Sequence, residues 1–236
     1  MKIFYWCLFL ALTSYFSTPT ALGDFDAGLS ALQRAHYATA MRAWIGMANE
    51  GIAAAQNNVG HLYEEGLGVS QDYSIAMRWY RLAAEQGLSE AQHNIGMLYY
   101  SGYGVKKNYK EAFKYFRKAA EQNLADSRYM LGLMYHQGQG VPMDYKFAKY
   151  WYLLSAKQGY ANSQFMYAFM LQAGELGDPD PFKALIWSTV AGKNGKLDNA
   201  DVGDQAKLQL EDEEIAKALR LADICVDSNY TTCPTS

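Results

Sequence analysis

The segment that decides the fold is DYSIAMRWYRLAAEQG, which occupies residues 72–87. It returns as NYKEAFKYFRKAAEQN at residues 108–123 and as DYKFAKYWYLLSAKQG at residues 144–159, each time 36 residues further along the chain. A fixed period of this length is typical of proteins built by repeating one small supersecondary unit. Because such a unit cannot bury its apolar face alone, the sequence predicts an all-α stack of about five helical hairpins with one continuous core.

The repeat extends in both directions from this segment. Three units align without gaps, and a fourth keeps the spacing but replaces a recurring mid-helix glycine with Ala168 and an aromatic residue with Ser188. A degenerate hairpin precedes these units, and two capping helices with a short tail follow them. After residue 23 the predicted segments are 24–52, 53–88, 89–124, 125–160, 161–195 and 196–236.

Each unit carries a signal for the end of one helix and the start of another. A glycine follows the first helix, because the left-handed backbone conformation at a helix C-terminus favours this residue. Six residues later an Asp or Asn can cap the N-terminus of a second helix with its short side chain. The glycines are Gly66, Gly102, Gly138 and Gly174, and the capping residues are Asp72, Asn108, Asp144 and Asp180.

Residues 1–23 have the layout of a secretory signal peptide. Lys2 is followed by an apolar stretch, and small residues end the segment at Ala21-Leu22-Gly23. Because the apolar core is short for a membrane-spanning helix, we expect cleavage, no stable membrane span afterwards, and a periplasmic or secreted protein. An uncleaved anchor is the alternative. Of the three cysteines, Cys225 and Cys233 then remain, and we expect an oxidising compartment to join them in a disulfide that holds the C-terminal tail.

The composition argues against several classes of function. The formal net charge is −3, whereas a nucleic-acid surface carries a basic stripe. The sequence lacks the nucleophile-elbow, metallopeptidase and paired-cysteine motifs. His61, His93 and His136 lie in three different units, about 10 Å apart by helix-packing distances, which is too far for easily shared metal ligands. We therefore predict no nucleic-acid partner, no catalytic residues, no metal and no cofactor.

The pattern of repeated residues resembles a known family. It reads A-x-x-x-x-G-x-L-Y-x-x-G-x-G-V and then D-Y-x-x-A-x-x-W-Y-x-x-A-A-x-x-G. The first unit carries it at Ala55, Gly60, Leu62, Tyr63, Gly66, Gly68, Val69, Asp72, Ala76, Trp79, Tyr80, Ala83, Ala84 and Gly87. This pattern is similar to the Sel-one-like repeat (SLR), a relative of the tetratricopeptide repeat. The resemblance implies a right-handed α-solenoid that serves as a scaffold for protein–protein interaction, and many bacterial members are exported.

The first helix of each repeat carries a second stripe of residues that helix packing does not require. The residue types on this stripe vary from repeat to repeat. By analogy with tetratricopeptide repeats, this stripe lines a concave groove, which we expect to bind a protein or peptide partner. An alternative is that positions 57, 93, 129 and 165 pack partly against the neighbouring unit. The candidate groove residues are His61, Glu64, His93, Met97, Tyr100, Tyr129, Leu133, His136, Phe165 and Phe169.

The resulting hypothesis is an exported interaction scaffold or adaptor without catalysis, with a role in envelope regulation or host interaction. The alternative is a hydrolase or ligand-binding protein of the cell envelope, with β-lactam or peptidoglycan fragments as ligands. That alternative rests on an SLR subgroup whose members carry a cysteine pair in the repeats, and the repeats of this chain contain no cysteine. A structural spacer without a specific ligand is a third hypothesis.

Overall fold

The computed structural model describes residues 19–175, 177–196 and 200–235, so most of the predicted signal peptide lies outside the described residues. Within the described ranges the chain forms twelve α-helices and no strand. In chain order these are α1 (Pro19–Gln33), α2 (Tyr37–Asn49), α3 (Ala53–Glu65), α4 (Tyr73–Glu85), α5 (Ser89–Ser101), α6 (Tyr109–Glu121), α7 (Ala125–Gln137), α8 (Tyr145–Ala156), α9 (Ala161–Ala173), α10 (Pro181–Lys193), α11 (Ala200–Lys207) and α12 (Asp212–Asp227). The predicted all-α class is confirmed.

The chain divides into two compact units, residues 1–83 and 84–236. In the first unit α2 packs against both α1 and α3, and the fully buried side chains include Trp44, Val59 and Leu62. In the second unit α5 pairs with α6, α7 with α8, and α9 with α10. The helices α6 and α8 also contact the first helix of the following hairpin, and α11 and α12 pack against α10. The prediction of an α-solenoid built from stacked hairpins is therefore confirmed.

The helix ends form through the predicted turn chemistry. Gly66 follows α3 with φ 68°, in the left-handed region, and its N–H donates to the carbonyl of Leu62. The side chain of Asp72 then accepts hydrogen bonds from the N–H groups of Ser74 and Ile75 at the start of α4. The same arrangement of a left-handed glycine and a capping side chain recurs at Gly102 with Asn108, at Gly138 with Asp144, and at Gly174 with Asp180.

The recurring mid-helix glycines allow the two helices of a hairpin to approach closely. A Cβ atom on Gly132 of α7 would lie 2.6 Å from the ring of Tyr152 on α8. A Cβ on Gly96 of α5 would lie 2.6 Å from the ring of Phe116 on α6. Glycine in a helix costs about 1 kcal/mol relative to alanine. Successive repeats keep the glycine despite this cost because a buried aromatic ring occupies the space that a Cβ atom would need.

The C-terminal segment packs against the last hairpin. Trp187 Nε1 donates to the Pro234 carbonyl at 2.8 Å, and the Tyr167 hydroxyl donates to the Thr235 carbonyl at 3.2 Å. Cys225 of α12 and Cys233 of the tail, both buried, are placed as a disulfide pair with their Cα atoms 4.7 Å apart. These contacts cover the end of the α9–α10 hairpin, which would otherwise expose its apolar residues to water.

Candidate protein-interaction surface

Two of the predicted groove residues lie in the first unit, on α3. His61, Glu64 and Glu65 are spaced so that their ligand atoms all lie within 4.8 Å of one another. Glu64 also accepts a hydrogen bond of 2.5 Å from the hydroxyl of Tyr80. Burial raises the pKa of Glu64, and the Tyr80 hydrogen bond opposes that rise. The three side chains could hold a cation, but such groups of acidic residues are common without one, and we assign no metal to them.

The other eight predicted residues lie in the second unit, on the first helices of three consecutive hairpins. We call the surface that they form on α5, α7 and α9 the first-helix face. Seven of the eight side chains are half-buried, and Phe169 is 37% exposed. The members of the first-helix face are His93, Met97, Tyr100, Tyr129, Leu133, His136, Phe165 and Phe169.

His93 contributes to packing between repeats. Its Nδ1 shares a hydrogen bond of 2.8 Å with Ser127 Oγ on α7, and its ring lies 5.3 Å from that of Phe116. Burial lowers the pKa of His93, and the nearby Asp126 opposes this effect. A neutral imidazole held by the next repeat is poorly placed to contact a partner. The position of His93 therefore favours the packing alternative at this site.

Tyr100 and Tyr129 present aromatic surface that neighbouring rings partly cover. The ring of Tyr100 lies 5.2 Å from that of Tyr109, in an edge-to-face arrangement. The ring of Tyr129 lies 5.4 Å from Tyr160 and 5.9 Å from Tyr152. Burial raises the pKa of both phenols, so both stay neutral hydrogen-bonding groups at physiological pH.

Phe165 and the apolar side chains between these aromatics complete the face. The ammonium of Lys196 lies 5.2 Å from the ring centre of Phe165, which is a cation–π distance. Met97 and Leu133 pack against the buried core formed by α6 and α7 while they remain partly exposed. With Phe169 they occupy the same position of three successive repeats, which gives one row of apolar side chains across α5, α7 and α9.

His136 forms a hydrogen bond with a residue that the sequence analysis did not select. Its Nε2 lies 2.9 Å and 3.1 Å from the two carboxylate oxygens of Glu175, in the turn after α9. The two side chains keep 17% and 15% of their surface exposed. The ring of His136 lies 5.3 Å from Tyr145 and meets that of Phe169 edge to face at 6.3 Å. His136 and Phe169 are thus brought together across two repeats.

Three residues near this pair were missed because they belong to turns and second helices rather than to the predicted stripe. Gln139 lies near enough to Tyr100 to oppose the rise that burial causes in the pKa of its phenol, and Glu175 bonds to His136; in each case the two residues are 39 positions apart. The third is Tyr152, whose ring lies 6.3 Å from His136. Residues 139 and 175 are equivalent positions of successive units, but the period alone does not show that either lies near the predicted stripe.

The comparison with protein-family models identifies the repeat. The model described as "Sel1 repeat" matches residues 53–88, 89–124, 125–160 and 161–196, which together are more than half of the chain. The chain belongs to the Sel1 repeat family. Sel1 repeats generally mediate protein–protein interaction, and their fold is typically a scaffold without catalytic activity. A comparison with curated proteins found no significant match.

Solved structures of other Sel1 repeat proteins resemble this one. A Sel1 repeat protein from Oxalobacter formigenes is 32% identical, with a TM-score of 0.66, and the match covers 82% of this chain and 85% of that one. A protective antigen of uropathogenic Escherichia coli with an SLR fold is 27% identical, with a TM-score of 0.50, over 90% of this chain and 56% of its own. An immunity protein from Pseudomonas aeruginosa is 17% identical, with a TM-score of 0.57, over 92% and 85% of the two chains, and shares the fold.

The structure was also searched for a membrane-spanning element. Across residues 19–175, 177–196 and 200–235, no helix combines the length and the apolar character that crossing a bilayer requires. Every residue assigned to the first-helix face lies within these ranges.

Proposed function

We propose that this Sel1 repeat protein is an exported, non-catalytic adaptor that binds a protein or peptide partner on the first-helix face. The observation that carries the proposal is the row formed by Met97, Leu133 and Phe169, which places an apolar side chain at one position of three successive repeats. Positions that build the stack repeat the same residue type, whereas this position changes from repeat to repeat. Partly exposed apolar and aromatic side chains, surrounded by polar groups, are typical anchors of a protein interface.

Two further observations support the proposal. The layout of residues 1–23 is that of a secretory leader, and the pairing of Cys225 with Cys233 suits an oxidising compartment. The repeat fold is a typical scaffold, so the binding surface must come from the side chains that the stack leaves accessible. We place the mature protein in the periplasm or outside the cell, with Asp24 as its first residue.

Site-specific photo-crosslinking in the producing cells tests the location of the surface. A benzophenone amino acid replaces Phe169 on the first-helix face, and a matched variant carries it at Phe147 on α8, where the side chain is 52% exposed. We expect discrete crosslinked products from position 169 that are absent or much weaker from position 147. Equal crosslinking from both positions, with an intact fold, would contradict the assignment of the surface.

Cell fractionation with N-terminal sequencing tests export. We expect the mature protein in the envelope or medium fraction, beginning at Asp24. Recovery of a chain that still begins at Met1 in the cytoplasmic fraction would contradict the export proposal and would leave the crosslinking result to be judged separately.

A further inference from the structure

The second repeat concentrates positive charge in one short segment of a chain that is acidic as a whole. Residues 106–121 contain six basic and two acidic side chains, a net charge of +4, whereas the formal net charge of the chain is −3. All six basic side chains are exposed, and they lie on α6 and in the turn before it. We call them the basic cluster, which consists of Lys106, Lys107, Lys110, Lys114, Arg117 and Lys118.

Helix geometry places four members of the basic cluster on one side of α6. Successive residues of an α-helix are rotated by about 100°, so positions 110, 114, 117 and 118 fall within an arc of about 100°. The rise of about 1.5 Å for each residue makes this row about 12 Å long. The opposite side of the helix is the buried one, formed by Ala112, Phe116, Ala119 and Ala120. The basic row therefore faces away from the core.

The two acidic side chains of the segment neutralise only part of this charge. Glu111 pairs with Lys114 at 2.6 Å, and Glu121 pairs with Arg117 at 3.0 Å. The basic side chains of these pairs are 64% and 62% exposed, and ion pairs in contact with water contribute little to stability. Lys118 instead lies over the ring of Tyr115, 5.5 Å from its centre. The segment thus keeps a positive surface in spite of its ion pairs.

The repeat period shows that the stack does not need a basic residue at these positions. The six equivalent positions of the first repeat hold two basic residues, Arg78 and Arg81. Those of the third repeat hold only Lys146, and those of the fourth hold none. Four hairpins therefore pack in the same way with very different charges on this side. Folding does not account for the charge of the second repeat, so we looked for a ligand that does.

The residue types favour an anionic membrane surface over a protein as that ligand. Five of the six basic residues are lysine, which is depleted at protein–protein interfaces, whereas arginine is enriched there. The lysine ammonium is a point charge on a flexible stem, so it can follow mobile headgroups without the fixed geometry that a guanidinium requires. A short segment with several lysines is typical of binding to anionic lipid headgroups. Tyr103, in the turn that leads to Lys106, is 51% exposed and adds an amphipathic ring suited to the same interface.

We propose that the basic cluster holds the protein against the surface of a bilayer that contains anionic phospholipids. The ammonium groups donate charge-assisted hydrogen bonds to the headgroup phosphates, and the protein stays at the level of the headgroups. This inference rests on the proposed function in one respect, because export places the protein beside the lipids of the cell envelope. The basic cluster and the row of apolar side chains on α5, α7 and α9 share no residue, so each surface can be tested without the other.

Vesicle co-sedimentation with the protein purified from the producing cells tests the inference. The two probes are vesicles of phosphatidylcholine alone and vesicles of equal parts of phosphatidylcholine and phosphatidylglycerol. We expect the protein to bind the anionic vesicles at least about tenfold more tightly than the neutral ones. A rise in salt from 0.05 M to 0.5 M should abolish most of this difference, because it shortens the range of the attraction to a few ångströms, about 4 Å.

A triple variant locates the binding on the basic cluster. Lys110→Gln, Lys114→Gln and Lys118→Gln together remove three charges from the exposed side of α6 and leave its buried side unchanged. Each lysine near an anionic surface strengthens binding by a factor of about five. We therefore expect the triple variant to bind the anionic vesicles at least about tenfold more weakly than the wild type.

A second triple variant controls for the change in net charge. Lys157→Gln, Lys207→Gln and Lys217→Gln remove three exposed lysines outside the basic cluster. They also remove similar contacts, because Lys207 pairs with Asp204 at 3.0 Å and Lys217 lies over the ring of Phe182. Binding of this variant to the anionic vesicles should stay within about twofold of the wild type.

The outcomes separate this inference from the proposed function. Equal binding to the two kinds of vesicle, or an equal loss of binding in the two triple variants, overturns the membrane contact. Release from the vesicles by polyglutamate or by a single-stranded oligonucleotide, at an equal concentration of negative charge, also overturns it and assigns the basic cluster to an acidic protein or a nucleic acid. Any of these results together with specific crosslinking from position 169 rejects only the membrane contact. Failure of that crosslinking rejects the proposed function of the first-helix face and leaves the vesicle result in force.

Discussion

The replacement of Tyr152 by phenylalanine should stabilise the protein, although it removes a hydroxyl from a fully buried tyrosine. The hydroxyl finds no partner among the described residues, so its removal relieves the cost of an unsatisfied polar group. That cost is about 1–3 kcal/mol. The ring itself keeps its contact with the space left by Gly132, where a Cβ would approach it to 2.6 Å. We therefore expect an increase of about 1 kcal/mol or more in the free energy of unfolding.

The matched control is Tyr80→Phe, at the same position of the first repeat. Both tyrosines are fully buried, but the Tyr80 hydroxyl donates to the Glu64 carboxylate at 2.5 Å. A hydrogen bond to a charged group contributes about 1.5–3 kcal/mol, and its loss also leaves a half-buried carboxylate without its donor. The same chemical change should therefore destabilise the protein at position 80 and stabilise it at position 152.

Urea denaturation followed by circular dichroism measures both effects, with each variant compared to the wild type at one pH and protein concentration. At this chain length a change of 1 kcal/mol corresponds to a shift of about 2–4 °C in the thermal midpoint. Destabilisation by Tyr152→Phe to the same extent as by Tyr80→Phe would show that the Tyr152 hydroxyl is satisfied in the folded protein.

Three further changes follow from the packing and the charges. Burial lowers the pKa of His93, so the contribution of His93 to stability is present above the ordinary histidine pKa of 6.5 and is lost as the pH falls through the folded-state pKa. The variant His93→Gln should therefore reduce the decline in unfolding free energy on the acid side. The control variant His36→Gln, at an exposed position, should leave that decline unchanged. Gly132→Ala should destabilise by about 1–3 kcal/mol through overpacking, while Gly46→Ala, where a Cβ meets nothing within 4 Å, should stabilise by about 0.5–1 kcal/mol in the same denaturation assay. Cys233→Ser should lower the unfolding free energy by about 2–3 kcal/mol, and reductant should reproduce that loss in the wild type and have no effect on the variant.

The sequence predicts the fold well because the residues that build it act locally and recur. A glycine in the left-handed region, a capping Asp or Asn six residues later, and a small residue opposite an aromatic ring each act within one hairpin. Gly138 and Asp144 illustrate this, because the backbone of the turn between α7 and α8 alone requires both. The same turn and packing residues recur in every repeat, so a wrong assignment of the helices in one repeat would disagree with the assignment in the others.

The candidate surface was less predictable because its contacts join different repeats. The period applied to the Tyr80–Glu64 pair would predict a bond between Tyr152 and His136, which occupy the equivalent positions. The structure instead pairs His136 with Glu175 of the next repeat. A carboxylate is the stronger partner for an imidazole than a phenol, because the hydrogen bond is assisted by charge. Only the fold shows that Glu175 lies within reach.

The row of apolar side chains restricts how a partner can lie on the first-helix face. Met97, Leu133 and Phe169 belong to successive repeats, and packed helices are spaced about 10 Å apart. An extended peptide advances about 3.3 Å for each residue, so it passes from one repeat to the next in about three residues. A peptide bound in this way would place its apolar anchors about three residues apart, and this spacing distinguishes selective recognition from a non-specific hydrophobic contact.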